Sequence, residues 1–115
     1  MTHYLFAVHW DQDRPLPEGE ELQRAFADVD AFNRRMMDTG AWVYAGGLVP
    51  HDDAQVVDNT GGEAETKIGS YISGPRRLSG LWILDAPDDV TAHQYAMEAS
   101  KACGSPVEVR AFQAE

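Results

Sequence analysis

Four histidines, an adjacent arginine pair and several large aromatics are the residues of this 115-residue chain that could do chemistry. His9 ends a short alternating segment. There an imidazole can act as a general base, or bond a substrate at the mouth of a cleft. Its plainer role is a half-exposed strand-end histidine bonded to water or backbone. In His51-Asp52-Asp53, a carboxylate can orient or polarise a histidine; a polar turn after Pro50 is the ordinary alternative. His9 and Asp52 are therefore the catalytic candidates. Arg76 and Arg77 follow a Gly-Pro turn in a chain with only 9 basic residues. A guanidinium there can clamp a substrate carboxylate, which makes Arg76 a binding candidate; otherwise the pair is a solvated loop balancing nearby acids. Trp42 and Tyr44 stand beside Gly46-Gly47 and can wall an apolar pocket for a ring-bearing molecule. Trp82, inside an apolar run, reads as core. Glu108 and Arg110 share one face of the last strand, where a cross-strand or interface ion pair is the simplest reading and a pocket cation the alternative for Arg110. Cys103 lies on an apolar helix stripe and reads as a small hydrophobe rather than a nucleophile.

The elements that must position these groups follow from periodicity. Residues 4–9 alternate as a strand, with Tyr4, Phe6 and Val8 on one side and Leu5, Ala7 and His9 on the other. Residues 11–19 are a loop. Leu22, Phe26, Val29, Phe32 and Met36 form the apolar stripe of a helix over about 18–38, stopped at Gly40. Residues 41–49 form a second strand broken by paired glycines. Residues 54–58 and 66–72 make a hairpin around Asn59-Thr60-Gly61-Gly62, and Ser73-Gly74-Pro75 is a turn. Residues 81–84 are a compact apolar strand. A second helix starts at Asp88 or Asp89 and buries Ala92, Tyr95, Ala96, Ala99 and Cys103. Gly104-Ser105-Pro106 ends it, and residues 107–112 close the chain as a strand. The order β-α-β-hairpin-β-α-β is an α+β, ferredoxin-like split βαβ plan with an added hairpin. Helices cover one sheet face. Apolar side chains point both ways, so pairing of two copies through the other face is expected.

Composition removes several function classes. There are 19 acidic against 9 basic residues, a net charge of −10, which opposes binding to nucleic acid and to anionic membranes. One cysteine excludes an internal disulfide and a cysteine-based zinc site. The four histidines lack the i, i+4 ligand spacing, so no metal is expected. No phosphate loop, dinucleotide fingerprint or nucleophile elbow is present, so no organic cofactor is expected. Met1-Thr2-His3-Tyr4 lacks the features of a secretory leader, and a cytoplasmic location is expected.

Ala31-Phe32, Met36, Gly40 and Ala45-Gly46-Gly47-Leu48-Val49-Pro50 resemble, in order and spacing, the DGPF-type branch of the YCII-related family. So do the run 78–87 (Leu-Ser-Gly-Leu-Trp-Ile-Leu-Asp-Ala-Pro) and the ending 104–112 with Val107-Glu108-Val109-Arg110. The resemblance spans nearly the whole chain, as a single domain over residues 1–115. It implies a ferredoxin-like fold that pairs into a dimeric α+β barrel. It implies no settled activity for this branch; the wider family includes a lactone dehalogenase, and a His/Asp pair in a cleft has been proposed for others. The chain departs from the pattern in two places. Ser73-Gly74-Pro75-Arg76 stands for Asp-Gly-Pro-Phe, although Ala64-Glu65-Thr66-Lys67 keeps the tetrapeptide that usually follows that motif. Val29 stands where the wider family has its first-helix histidine, and a valine transfers no proton.

Two functions are carried forward. One is a cofactor-independent enzyme, a lyase, isomerase or dehalogenase-like catalyst of acid–base chemistry on a small acid or lactone. The other is a non-catalytic domain that binds a metabolite or another protein. Fold alone decides neither.

Overall fold

A computed structural model describes residues 1–114. Six strands and two α-helices run in the order β1 (Thr2–Asp11), α1 (Gly19–Asp38), β2 (Trp42–Gly47), β3 (Gln55–Asp58), β4 (Glu65–Ile68), β5 (Arg76–Ala86), α2 (Asp89–Cys103) and β6 (Val107–Ala111). A single 3-10 turn, His51–Asp53, lies between β2 and β3. The architecture is α+β. Strands β2-β5-β1-β6 form one sheet, and β3-β4 pair only with each other as an arm. Every pairing is antiparallel, so β1 and β2 run parallel on either side of β5, and β5 and β6 on either side of β1.

Local chemistry explains both helices. Gly40 at φ +80° lets α1 end in a Schellman turn, in which Ala41 N–H bonds the carbonyl of Met36 (2.9 Å) and Gly40 N–H that of Met37 (3.2 Å). The turn buries Ala41 and sends the chain straight into β2. Asp88 caps α2 by accepting from Thr91 N–H at 2.8 Å. Gly104, at φ +68°, ends α2. Arg35 joins the helices through two bonds to Glu98, Nε to Oε1 at 2.7 Å and Nη2 to Oε2 at 2.8 Å.

The core lies between the helices and one sheet face. Phe6, Met36 and Leu84 are fully buried there, with Tyr4, Phe32, Trp82, Ala92, Ala96 and Ala99 around them. The alternation expected of β1 holds in the register: Phe6 faces Trp82 and Val109, whereas Leu5 faces Ile83 and Arg110. The molecule is consequently thin, 47 × 44 × 18 Å.

The sequence reading needs three corrections. Phe26, expected on the buried stripe of α1, is 67% exposed, and Ala25 takes the part-buried position of that turn instead. The fifth strand is eleven residues long rather than four, and Arg76-Arg77 open it instead of lying in a loop. They do so because Asp11 and Trp10 of β1 continue the ladder opposite them. The second hairpin strand stops at Ile68, with Gly69 at φ +106°. The cross-strand pair expected at Glu108 is present: its carboxylate bonds His9 of β1, on the same sheet face.

Candidate functional site

An irregularity in β5 creates the cleft. Val8 pairs with Gly80 but His9 pairs with Leu78, so Ser79 is an extra residue, a β-bulge. Its hydroxyl donates to the Val8 carbonyl at 3.3 Å, and its carbonyl accepts from Leu48 N–H at 2.9 Å. Beside the bulge, β2 and β5 meet through Gly46, Gly47 and Gly80. A Cβ on Gly80 would stand 3.0 Å from the Gly46 carbonyl oxygen, so the close approach of the two strands requires glycine. The result is a stretch of sheet without side chains.

Over this glycine floor sits a cleft of about 290 Å³, near the lower edge of ligand-pocket sizes. Val29 and Asn33 of α1, Val8 of β1, Trp42 of β2, Trp82 of β5 and Cys103 at the end of α2 wall it. Its surface is mostly apolar. Asn33 is fixed by one bond: Trp82 Nε1 donates to its Oδ1 at 2.7 Å. Indole nitrogen can only donate, so the carbonyl end of the amide must face it and the NH₂ end faces away. Among the described residues that NH₂ has no acceptor, which leaves two donors at the wall of an apolar cleft. Phe32 holds the indole from behind, edge-on at 5.3 Å. Burial raises the pKa of the Cys103 thiol, which is neutral at physiological pH and bonds weakly to the carbonyls of Ser105 and Ser100. Among the described residues no carboxylate or imidazole lines the cleft.

The residues singled out from sequence are dispersed around this end of the sheet. Trp42 lines the cleft. Tyr44 does not: a register shift between Trp42 and Tyr44 turns its ring outward, 61% exposed, with its hydroxyl over Gly46. His9 lies on the face opposite the helices, with Nε2 3.1 Å from Glu108 Oε1. Asp52 is exposed in the 3-10 turn, 3.3 Å from Nδ1 of His51. No hydrogen bond joins the His9–Glu108 and His51–Asp52 pairs among the described residues. Arg76 is exposed at the start of β5, opposite Asp11. Arg110, on the β6 edge, borders a shallow hollow with Leu5 and Phe112. Among the described residues no group of three potential metal ligands occurs.

Sequence reasoning missed Asn33, Ser79, Val29 and Cys103 as cleft residues. Asn33 carried a signal: it lies four residues after Val29 and three before Met36, a polar residue on an apolar stripe. Ser79 carried none, because a bulge is defined by pairing with β1. Searches against protein-family models and against curated proteins found no match. No described helix is long and apolar enough to cross a membrane.

Proposed function

We propose that the protein is a binding domain for a small, neutral, ring-bearing molecule with a carbonyl acceptor, such as a lactone. One observation carries this: an apolar, glycine-floored cleft in which Trp82 fixes the Asn33 amide with its two donors free. Stacking and burial against Trp42 and Trp82 supply affinity, and the amide supplies orientation. A charged ligand would be stripped of water there without a counter-charge, which disfavours it. The binding alternative is thus favoured over catalysis within the cleft.

The test is a titration with phenyl-substituted butyrolactone, followed through the indole N–H signals of Trp42 and Trp82. Thermal shift provides the second readout, since a ligand at 100 times its Kd stabilises a fold by about 2.7 kcal/mol. Asn33→Asp keeps the acceptor for Trp82 and removes both donors, and should weaken binding at least tenfold. Gly47→Val should block the cleft, because a Cβ at Gly47 meets nothing within 4 Å. If neither variant changes lactone binding, the reading fails.

The same reading includes a homodimer of ferredoxin-like subunits, as the resemblance to YCII-related proteins implies. Two measures support it. The accessible surface is 8381 Å², against about 6,200 Å² for a folded monomer of this mass. The radius of gyration is 16.1 Å, against about 13 Å. The excess surface is of the size an interface covers. A second functional reading, acid–base catalysis on a small acid or lactone, is favoured by the His9–Glu108 bond. Between two protomers that pair would be enclosed as base and orienting carboxylate. Lactone turnover abolished in His9→Gln would establish it; its absence in the wild-type dimer would remove it.

A further inference from the structure

A second hollow lies across the Ser79 bulge from the cleft, also about 290 Å³. Its walls are Trp10, Leu16, Leu48, Val49 and Leu78, and its polar groups include Arg14, Arg77 and His51. The charge is notable. The chain has 19 acidic and 9 basic residues, yet two arginines and a histidine line this hollow and, among the described residues, no carboxylate does. Asp52 beside His51 is directed to solvent, with 84% of its side chain exposed.

Arg77 is the centre of the argument. Its Nη1 donates to the carbonyl of Ile72, which anchors the guanidinium. Its Nε is buried and has no hydrogen-bond partner among the described residues. Such a buried donor is costly to leave unmet, and few occur in folded proteins. The Nε–Nη2 edge is the one through which Arg35 grips Glu98 in this same molecule. On Arg77 that edge has no acceptor among the described residues. Arg14 is held apart from it: its guanidinium stacks on Trp10 at 4.9 Å and its Nη1 bonds the Gly104 carbonyl at 2.7 Å. Arg14 therefore adds positive field and braces the aromatic wall, and Arg77 retains the free fork.

We propose that this hollow binds a small organic carboxylate with an apolar tail, its carboxylate on the Arg77 guanidinium through Nη2 and its tail against Trp10, Leu16, Leu48 and Leu78. Guanidinium and carboxylate match in charge and hydrogen-bonding geometry, and no carboxylate of the hollow competes for Arg77. The apolar walls select a tailed acid over a bare anion. The site is separate from the cleft of Trp42 and Trp82 and does not depend on the function assigned there.

The three tryptophans separate this hollow from the cleft, because Trp10 borders the hollow and Trp42 and Trp82 border the cleft; the Arg77 variants separate it from the other hollow that Trp10 lines, beside Arg24 and Lys101. Indole N–H signals, assigned with single Trp→Phe variants, are followed during titration with hexanoate, acetate, inorganic phosphate and 1-hexanol. Hexanoate should shift the Trp10 signal saturably, and the other three should bind at least tenfold more weakly. Arg77→Gln should weaken hexanoate binding at least tenfold. Arg77→Lys keeps the charge without the fork and should weaken it by nearly as much; it decides the matter if Arg77→Gln gives no folded spectrum. Hexanol or phosphate binding as tightly as hexanoate overturns the proposal, as does a response confined to Trp42 and Trp82. So does an Arg77→Lys variant that binds like the wild type.

Discussion

The two faces of the central sheet are made of the same strands, yet one is closed and the other bare. On the closed face, Tyr4, Phe6, Trp82 and Leu84 meet Phe32 and Met36 of α1 and Ala92, Ala96 and Ala99 of α2. On the bare face, Leu5, Leu81 and Ile83 form a part-exposed apolar patch around the buried Ala7, flanked by the His9–Glu108 and His3–Asp85 pairs. Antiparallel sheets with one wet face normally alternate apolar with polar residues. Here β1 and β5 are apolar in both directions. The difference teaches that the chain itself covers only one of its two apolar sheet faces; the homodimer proposed above would cover the second.

The largest contrast should come from truncating one residue on each face. Phe6→Ala removes a fully buried ring and should cost about 3–5 kcal/mol in urea unfolding. Ile83→Ala, on the bare face, should cost an amount that grows with protein concentration, because in the proposed dimer part of its burial comes from association. A concentration-independent cost at Ile83 would remove the distinction between the faces. Ile83→Glu sharpens it: a carboxylate in the apolar patch should hold the chain at 12.7 kDa in sedimentation, where the wild type should give twice that mass. A wild type that sediments as a monomer at all concentrations would end the dimer reading.

The closed face was largely legible in the sequence, and the reason is local. The stripe Val29-Phe32-Met36, the Gly40 stop, the Asp88 cap and the alanines of α2 each state their role within one or two helical turns. Phe26 failed because Ala25, three residues after Leu22 and four before Val29, carries the stripe through that turn in its place. The site was less legible. Trp42 was found from its glycine neighbours, but Tyr44, two residues on, was placed beside it because strict alternation was assumed across an irregular pairing. The arginine pair was noticed and Arg76 chosen. Which of two adjacent strand residues turns into a hollow is set by register against Trp10 and Asp11, which no local pattern reports. The register of β1 on β5, including the bulge at Ser79, likewise exists only in the folded sheet.

A smaller effect separates the cleft from the core beneath it. Gly80→Ala places a methyl 3.0 Å from the Gly46 carbonyl, a backbone atom that can yield only by moving β2 away from β5. The expected cost is about 1–2 kcal/mol, and lactone binding should suffer more than stability does. The Phe6 variant, where folded, should show the reverse: lower stability with lactone affinity retained. Equal losses of both properties in both variants would mean that the cleft has no identity apart from the core.

The smallest effect concerns the closure of the helical face in acid. Asp88 accepts from Thr91 N–H at the start of α2, and this bond holds its carboxyl below the usual aspartate pKa. A group with a lowered folded pKa stabilises the fold fully above its unfolded value, and that contribution is lost as pH falls through the folded one. Asp88→Asn retains an acceptor but no titration, so its stability should change less than the wild type's between about pH 5 and pH 2. Asp58, lowered by its bonds to Thr60, performs the same role in the turn of the β3-β4 arm. Since the arm pairs only with itself, Asp58→Asn should alter hydrogen exchange of the arm amides in acid and leave global unfolding unchanged. A global effect at Asp58 would show that the arm is docked on the body, in cis or on a partner, and that the bare face is covered by more than a second sheet.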